Sequence, residues 1–262
     1  MGTARKALAL AAFGAWIAPL CAAAQSGADV NAANNPLTPS IGVNLQDSYV
    51  GSHYGLDSDS NAALLRGTLP HKLFGLPQIL RATLPIVTTP NIAPDGRQTG
   101  MGDINLFDLF LFKEGHVELG FGPQLTIPTA SKDAMGTGKW QAGFAGVVVA
   151  PHKWGLLGAL VTWQQSFAGD SDRPKVSTLQ VQPVLIYNPP DAWYLRSATS
   201  SFDLRNANYY IPIGFGAGKV WKAGTTTCNV FAEPQWTVAH DGAGQPKFQV
   251  YAGVNLQFPV GR

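Results

Sequence analysis

The sequence offers few side chains whose types and spacing suggest catalysis. A hydrolase on a barrel surface would need a histidine and a serine close together, typically about two residues apart on one strand, so that the imidazole takes the hydroxyl proton. The five histidines are His53, His71, His116, His152 and His240. None of them has a serine at that spacing. We therefore expect no catalytic residue and no enzyme.

His240 and Asp241 are adjacent and would provide a base and an acid. They lie in the segment AHDGAGQ, whose small and polar residues are typical of a turn. We interpret the pair as a polar loop tip rather than as an acid–base site.

Metal, cofactor and phosphate sites have equally weak support. The histidines and cysteines are not spaced as the ligands of a metal site are. Cys228 is the one cysteine after Cys21. Gly214, Gly216 and Gly218 alternate, but they lie within a predicted strand and no helix follows. We interpret them as small side chains on one face of a curved strand rather than as a phosphate-binding loop.

The elements that must position any site are strands. After the N-terminal region no segment approaches the 18 or so consecutive apolar residues of a membrane helix. In Val117–Ile127 the odd positions are apolar and the even positions are polar or small, and Lys247–Phe258 alternates in the same way. Alternation over about 11 residues fits a tilted strand that crosses a membrane.

Ten further segments are predicted as strands, which gives a barrel of about 12 strands. In Asp103–Phe112 both faces carry apolar side chains. The ten are Ile41–Tyr49, Ala62–Leu69, Leu76–Thr88, Asp103–Phe112, Trp140–Ala150, Leu156–Phe167, Thr178–Tyr187, Trp193–Thr199, Tyr209–Val220 and Asn229–Val238.

The connections alternate in length, as they do in bacterial outer-membrane barrels. Short turns are predicted at Pro70–Phe74, Lys113–Gly115, Pro151–Trp154, Asn188–Asp191 and Trp221–Gly224. Longer polar loops are predicted at Gly51–Ser60, Pro90–Gly100, Ala130–Gly138, Gly169–Lys175, Ser200–Asn208 and His240–Pro246. The short turns would face the periplasm.

Tryptophan positions fit this topology, because indole rings prefer the two membrane–water interfaces. Trp154, Trp193 and Trp221 fall beside short turns. Trp140, Trp163 and Trp236 fall near the other ends of their strands. We expect these six residues to form two interface belts.

Ionisable residues within the strands should face the lumen, because a charge facing lipid costs about 2–4 kcal/mol near the midplane. They either line a narrow polar pathway or pair into a plug, and both alternatives stay open. The candidates are Arg66, Arg81, Asp103, Glu118, Arg196 and Glu233.

The N-terminus has the three zones of a secretory signal peptide: Arg5 and Lys6, an apolar stretch Ala7–Leu20, and the small residues Ala22–Ala24. We predict a signal peptide over 1–24, a periplasmic segment over 25–40, an outer-membrane barrel over 41–258 and a tail over 259–262. A lipid anchor on Cys21 is disfavoured, because the bulky Leu20 precedes it.

Composition supports export to a membrane rather than a soluble sandwich. Charged residues make up only 13% of the chain, whereas a soluble domain would carry more charge on its surface. The net charge of +2 gives no support to nucleic-acid binding.

Five segments carry a family resemblance that extends over essentially the whole mature chain. They resemble the bacterial outer-membrane barrels grouped as phenol-degradation meta-pathway proteins, some of which carry a transporter label and others the misplaced label neuromedin U. The segments are GDINLFDLFLF (Gly102–Phe112), GPQLTIPTAS (Gly122–Ser131), GTGKWQAGFAG (Gly136–Gly146), PQWTVAH (Pro234–His240) and GQPKFQVYAGVNLQF (Gly244–Phe258).

The resemblance implies passive passage of small, aromatic or apolar molecules. The alternatives are a structural or interaction barrel with a closed lumen and, with less support, a barrel hydrolase. The expected partners are outer-membrane lipid, solutes and the barrel-assembly machinery. That machinery would recognise Tyr251, Gly253, Leu256 and Phe258 in the last strand.

Overall fold

The structure, a computed structural model, describes residues 26–191, 193–196 and 200–260. The predicted signal peptide and the alternative anchor at Cys21 lie outside the described residues, as does the end of the strand predicted at Trp193–Thr199. Within the described part, no helix is both long and apolar enough to cross a membrane.

The chain forms a closed antiparallel barrel of 12 strands, as the alternation predicts. Fifteen strand segments make up one sheet, and the sheet closes because the first segment pairs with the last. The segments are β1 (Ile41–His53), β2 (Ser60–Leu73), β3 (Leu76–Thr88), β4 (Thr99–Met101), β5 (Ile104–Glu114), β6 (Val117–Ile127), β7 (Lys139–His152), β8 (Gly155–Gly169), β9 (Ser177–Tyr187), β10 (Trp193–Arg196), β11 (Ser200–Asp203), β12 (Asn208–Gly214), β13 (Gly216–Ala223), β14 (Thr226–Asp241) and β15 (Pro246–Phe258).

Three of the 12 strands are interrupted. The segments β4 and β5 both pair with β3, and β12 and β13 both pair with β14, with Phe215 between them. The segments β10 and β11 both pair with β9. Each of these couples therefore counts as one strand of the wall.

Alternation sorts the side chains into an outer face and an inner face. At the closing seam, Ile41 pairs with Phe258 and Leu45 pairs with Val254. Leu45 is 60% exposed, whereas its neighbour Gln46 is buried. The outer face is thus covered by large apolar side chains, and the polar side chains of the strands turn inward.

Short turns and longer loops lie at opposite ends of the barrel. The short turns include residues 74–75, 115–116, 153–154, 188–191 and 224–225, and the loops are 54–59, 89–98, 128–138, 170–176, 204–207 and 242–245. The loop predicted at Ser200–Asn208 is wrong in part, because residues 200–203 form β11 and pair with both β9 and β12. At the loop end of the barrel the strands extend beyond their apolar part, so polar residues such as Ser200 and Asp203 belong to a strand.

The segment before the barrel lies inside it. Helix α1 (Gly27–Asn34) starts at a capping box in which Ser26 and Asp29 exchange hydrogen bonds. Val30, Ala33 and Leu37 are buried in the same apolar cluster as Phe107 and Leu109 of β5. The packing explains why Asp103–Phe112 is apolar on both faces: one face meets the surroundings and the other meets this segment.

Candidate functional site: the barrel lumen

Most of the ionisable residues predicted for the lumen lie on its wall. Strand register places Arg66 of β2 and Arg81 of β3 on the inner face. Arg196 and Glu233 project inward from β10 and β14, and Glu118 does so from β6. The five residues therefore face one lumen. Only β2 and β3 are consecutive in the chain, and the other three strands that carry these residues are distant in sequence.

Arg196 and Glu233 form a buried ion pair. The Arg196 Nε lies 2.7 Å from Glu233 Oε2, and the Glu233 side chain is fully buried. The guanidinium also stacks 4.1 Å from the Phe231 ring centroid. Gly216 leaves the space for this pair, because a Cβ there would lie 2.7 Å from Glu233 and 2.8 Å from Arg196.

Arg66 and Arg81 have no such partner. Arg66 donates to Gln46 and, at 3.3 Å, to the Tyr251 hydroxyl. The Arg81 guanidinium stacks 4.0 Å from the Phe107 ring centroid. Among the residues that the structure describes, the Nε atoms of Arg66 and Arg81 are buried without a hydrogen-bond acceptor, and the close contact between Arg196 Nε and Glu233 Oε2 likewise lacks hydrogen-bond geometry.

Glu118 and Asp103 serve the ends of the barrel instead. The Glu118 carboxylate accepts a 2.6 Å hydrogen bond from Asn35, just after α1, and lies 3.8 Å from Lys113. Asp103 differs from the prediction, because it lies between β4 and β5 and accepts hydrogen bonds from Ala130 N and Thr137 N. It orders the 128–138 loop and does not line the lumen cavity.

Uncharged polar side chains on the wall were not singled out from the sequence. Gln124 and Thr126 of β6 both donate 2.8 Å hydrogen bonds to Gln164 of β8. On the opposite wall the buried Tyr194 donates a 2.6 Å hydrogen bond to Asn229. Alternation alone would have found them, since each is a polar residue at an inward position of its strand.

Polar contacts hold α1 at the short-turn end. Asn31 donates to the His152 carbonyl at 2.8 Å, and Lys222 donates to Asp29 at 2.9 Å. Asn229 and Gln257 both donate to the Ala33 carbonyl. The hydrogen bond from Lys222, with that from Ser26, holds the pKa of Asp29 below its usual value.

Between α1 and the arginines the lumen contains a cavity of about 160 Å³. Its polar lining includes Arg66, Arg81 and Arg196, and its apolar lining includes Ile79, Phe107 and Leu160. Pro36 and the residues at the end of α1 also line it. The cavity therefore has both charged and apolar lining residues, and it lies inside a barrel whose outer face is apolar.

The histidines do not form the catalytic arrangement sought in the sequence. His53 Nε2 lies 3.1 Å from the Ser60 hydroxyl across the 54–59 loop, but its Nδ1 bonds to the Ser58 carbonyl rather than to an acid or amide side chain. His240 stacks on Tyr54, with ring centroids 3.5 Å apart. In the described ranges no cluster of metal-binding side chains occurs.

His71 and Asp108 pair at 3.0 Å on the outer face. Register places both outward, near the short turn that follows β2. The imidazole and the carboxylate thus satisfy each other's hydrogen bonds, which lowers the cost of placing these polar groups on that face.

The six tryptophans of the predicted belts are not equivalent. Trp140, Trp154, Trp193 and Trp236 are between 37% and 50% exposed. Trp221 is only 5% exposed and lies opposite the buried Cys228. Trp163 lies near the middle of β8, where its ring stacks on Phe144, rather than at the end of the strand.

The last strand ends as its sequence suggests. Leu256 and Phe258 lie on the outer face, opposite Val43 and Ile41 of β1. Tyr251 and Gly253 lie on the inner face, and a Cβ on Gly253 would lie 2.7 Å from Gln46. Recognition by the assembly machinery stays a prediction.

Comparison with known proteins supports the fold and gives no family. No protein-family model matches the chain, and no curated protein matches it. The crystal structure of an outer membrane channel from Pseudomonas putida F1 is similar, with a TM-score of 0.62 and 12% sequence identity. The match covers 86% of this chain and 98% of that one. The chain therefore has the fold of an outer-membrane channel barrel.

Proposed function

We propose that the protein is an outer-membrane barrel that passively admits small molecules. The observation that carries the proposal is the closed wall, which is apolar outside and polar inside and encloses a cavity beside Arg66 and Arg81. Such a wall satisfies its backbone hydrogen bonds within the sheet, as a structure in lipid must. The similarity to an outer membrane channel supports the same conclusion.

The short-turn end is the narrow part of this pathway. Helix α1 and the residues up to Leu37 occupy it, and they are held to the wall by single hydrogen bonds and by the packing of Val30, Ala33 and Leu37. Solutes would pass beside this segment or after it shifts. We propose small solutes with an aromatic or apolar part, as the family resemblance implies.

Conductance of the purified barrel in planar bilayers tests the proposal, with liposome swelling by a panel of solutes alongside. We expect small conductance steps from the full mature chain and larger steps when residues 26–34 are deleted. Faster migration before boiling than after boiling on gels would show that both proteins are folded. Two controls are needed: protein-free bilayers, and a deletion of residues 242–245, a loop at the end of the barrel opposite to helix α1.

A structural barrel with a closed lumen is the second candidate. Val30 and Leu37 are only 1% and 4% exposed, which favours this candidate. Buried apolar side chains make helix α1 and the residues after it harder to displace from the lumen. If neither the full chain nor the deletion of 26–34 conducts, this second function replaces the first.

A further inference from the structure

The lumen cavity has an excess of positive charge. Its lining contains three arginines and no aspartate or glutamate. Glu233 pairs with Arg196 from behind the lining, which leaves Arg66 and Arg81 uncompensated. Among the residues that the structure describes, no carboxylate forms an ion pair with Arg66 or Arg81.

Arg66 and Arg81 are placed to act together. In the β2–β3 pair, Arg66 lies opposite Thr83 and Arg81 lies opposite Thr68. The two arginines are therefore diagonal neighbours on one face, positions whose backbones are roughly 7–8 Å apart. Like charges on neighbouring positions repel each other in a low-dielectric interior, and an anion between them removes that repulsion.

The rest of the lining is uncharged, in part polar, as at Gln46, Thr68 and Tyr251, and in part apolar. Ile79, Phe107, Leu160 and Val184 face the same space as the arginines. In other proteins a cavity of about 150 Å³ holds a benzene molecule, so this one has room for a single ring. A hydrated inorganic anion would leave these apolar side chains in contact with a polar ligand.

We propose that Arg66 and Arg81 bind the carboxylate of a small amphipathic acid whose apolar body packs on Phe107 and Leu160. Guanidinium groups bind carboxylates through paired, charge-assisted hydrogen bonds. The stacking of Arg81 on Phe107 holds its guanidinium in place, which lowers the entropy lost on binding. The site rests on the proposed function and names its substrate class: single-ring carboxylates.

Calorimetric titration of the full mature barrel in detergent tests the site, with benzoate as the probe. Benzyl alcohol has a similar size and no charge, and inorganic phosphate has charge and no apolar body. We expect benzoate to bind more tightly than either. Equal binding of benzoate and benzyl alcohol, or of benzoate and phosphate, would overturn the assignment.

Variants locate the site. Arg81→Gln should weaken benzoate binding by about tenfold or more, because it removes a charge-assisted hydrogen bond. Arg205→Gln removes the same charge from the exposed 204–207 loop and should leave binding unchanged. Equal affinities in the two variants would refute the site.

A misfolded variant would be recognised by loss of the gel shift on boiling. In that case Arg81→Lys keeps the charge and loses the planar fork, and we expect intermediate affinity; wild-type affinity would contradict the proposed role of Arg81. Binding in detergent does not require conduction. Benzoate binding without conductance would therefore reject the channel function and support the carboxylate site. Conductance without benzoate binding would support the channel function and reject the site.

Discussion

Single glycines set how much side chain the lumen can hold. A Cβ on Gly218 would lie 2.2 Å from Tyr194 Cζ and 2.4 Å from its hydroxyl oxygen. Gly218→Ala should displace Tyr194 and its hydrogen bond to Asn229. We expect the free energy of unfolding to fall by about 1–3 kcal/mol, the usual cost of overpacking. Urea unfolding followed by tryptophan fluorescence measures it.

Gly67→Ala is the matched control for this substitution. A Cβ on Gly67 would meet nothing within 4 Å, so this variant should be close to wild type. Equal unfolding curves for the two variants would show that Tyr194 has room to move.

For single residues, the sequence predicts which side chains face the lumen but not which of them contact each other. The inward positions of Arg66 and Arg81 follow from alternation, and their adjacency follows once the 74–75 turn fixes the register of the hairpin. The pairing of Arg196 with Glu233 does not follow, because it depends on how β10 and β14 face each other across β13. Only the closed sheet determines that distance.

Among the elements, α1 is the least predictable from sequence. Its residues show no strong apolar stripe, and its polar partners are single side chains from one short turn and three strands: Asn188, Lys222, Asn229 and Gln257. Strands, in contrast, are predicted well because their alternation repeats over many residues. The sequence therefore indicates the wall but not what fills it.

The docking of α1 should depend on pH through Asp29. The pKa of Asp29 is lower in the folded protein than the ordinary value near 3.8, because Lys222 and Ser26 donate hydrogen bonds to its carboxylate. The stabilisation is therefore present above about pH 4 and is lost as pH falls through the folded pKa. We expect faster amide exchange in residues 26–34 at pH 3 than at pH 6, after correction for intrinsic rates.

Asp29→Asn removes the titrating group and serves as the comparison. It should exchange faster than wild type at pH 6 and show no further loss of protection at pH 3. Retention of the pH response in this variant would mean that another group controls the docking.

The closing strand carries a prediction about assembly. Phe258→Asp places a carboxylate at the outer face beside Ile41 and removes the terminal aromatic ring. Both changes oppose insertion. We expect less protein in the outer membrane and more in the periplasm or degraded, as measured by cell fractionation and blotting.

Arg262→Ala, beyond the strand, is the control and should be nearly neutral. Wild-type membrane levels of Phe258→Asp would show that the ring is dispensable for assembly. Recovery of both variants in the soluble periplasmic extract would instead show a soluble protein.

For the whole molecule, the alternation of turns and loops predicts orientation. Asp95 lies in the 89–98 loop and Asp241 lies at the same end of the barrel, whereas Pro190 lies in a short turn at the other end. Cysteines at Asp95 or Asp241 should react with a membrane-impermeant thiol reagent on intact cells. A cysteine at Pro190 should react only after the cells are lysed.

The buried Cys228 gives little background in this experiment. The reverse labelling pattern would mean that the long loops face the periplasm. Labelling of all three positions on intact cells would contradict a membrane-spanning barrel.

The location of α1 inside a closed wall also fixes the order in which the protein is completed. Its contacts with Asn229 and Gln257 join residues 196 and 224 positions apart in the chain. These partners belong to the last two strands, so they exist only when the ring of strands is almost whole. The segment that precedes every strand in the chain can therefore complete its native contacts only when the last two strands are in place.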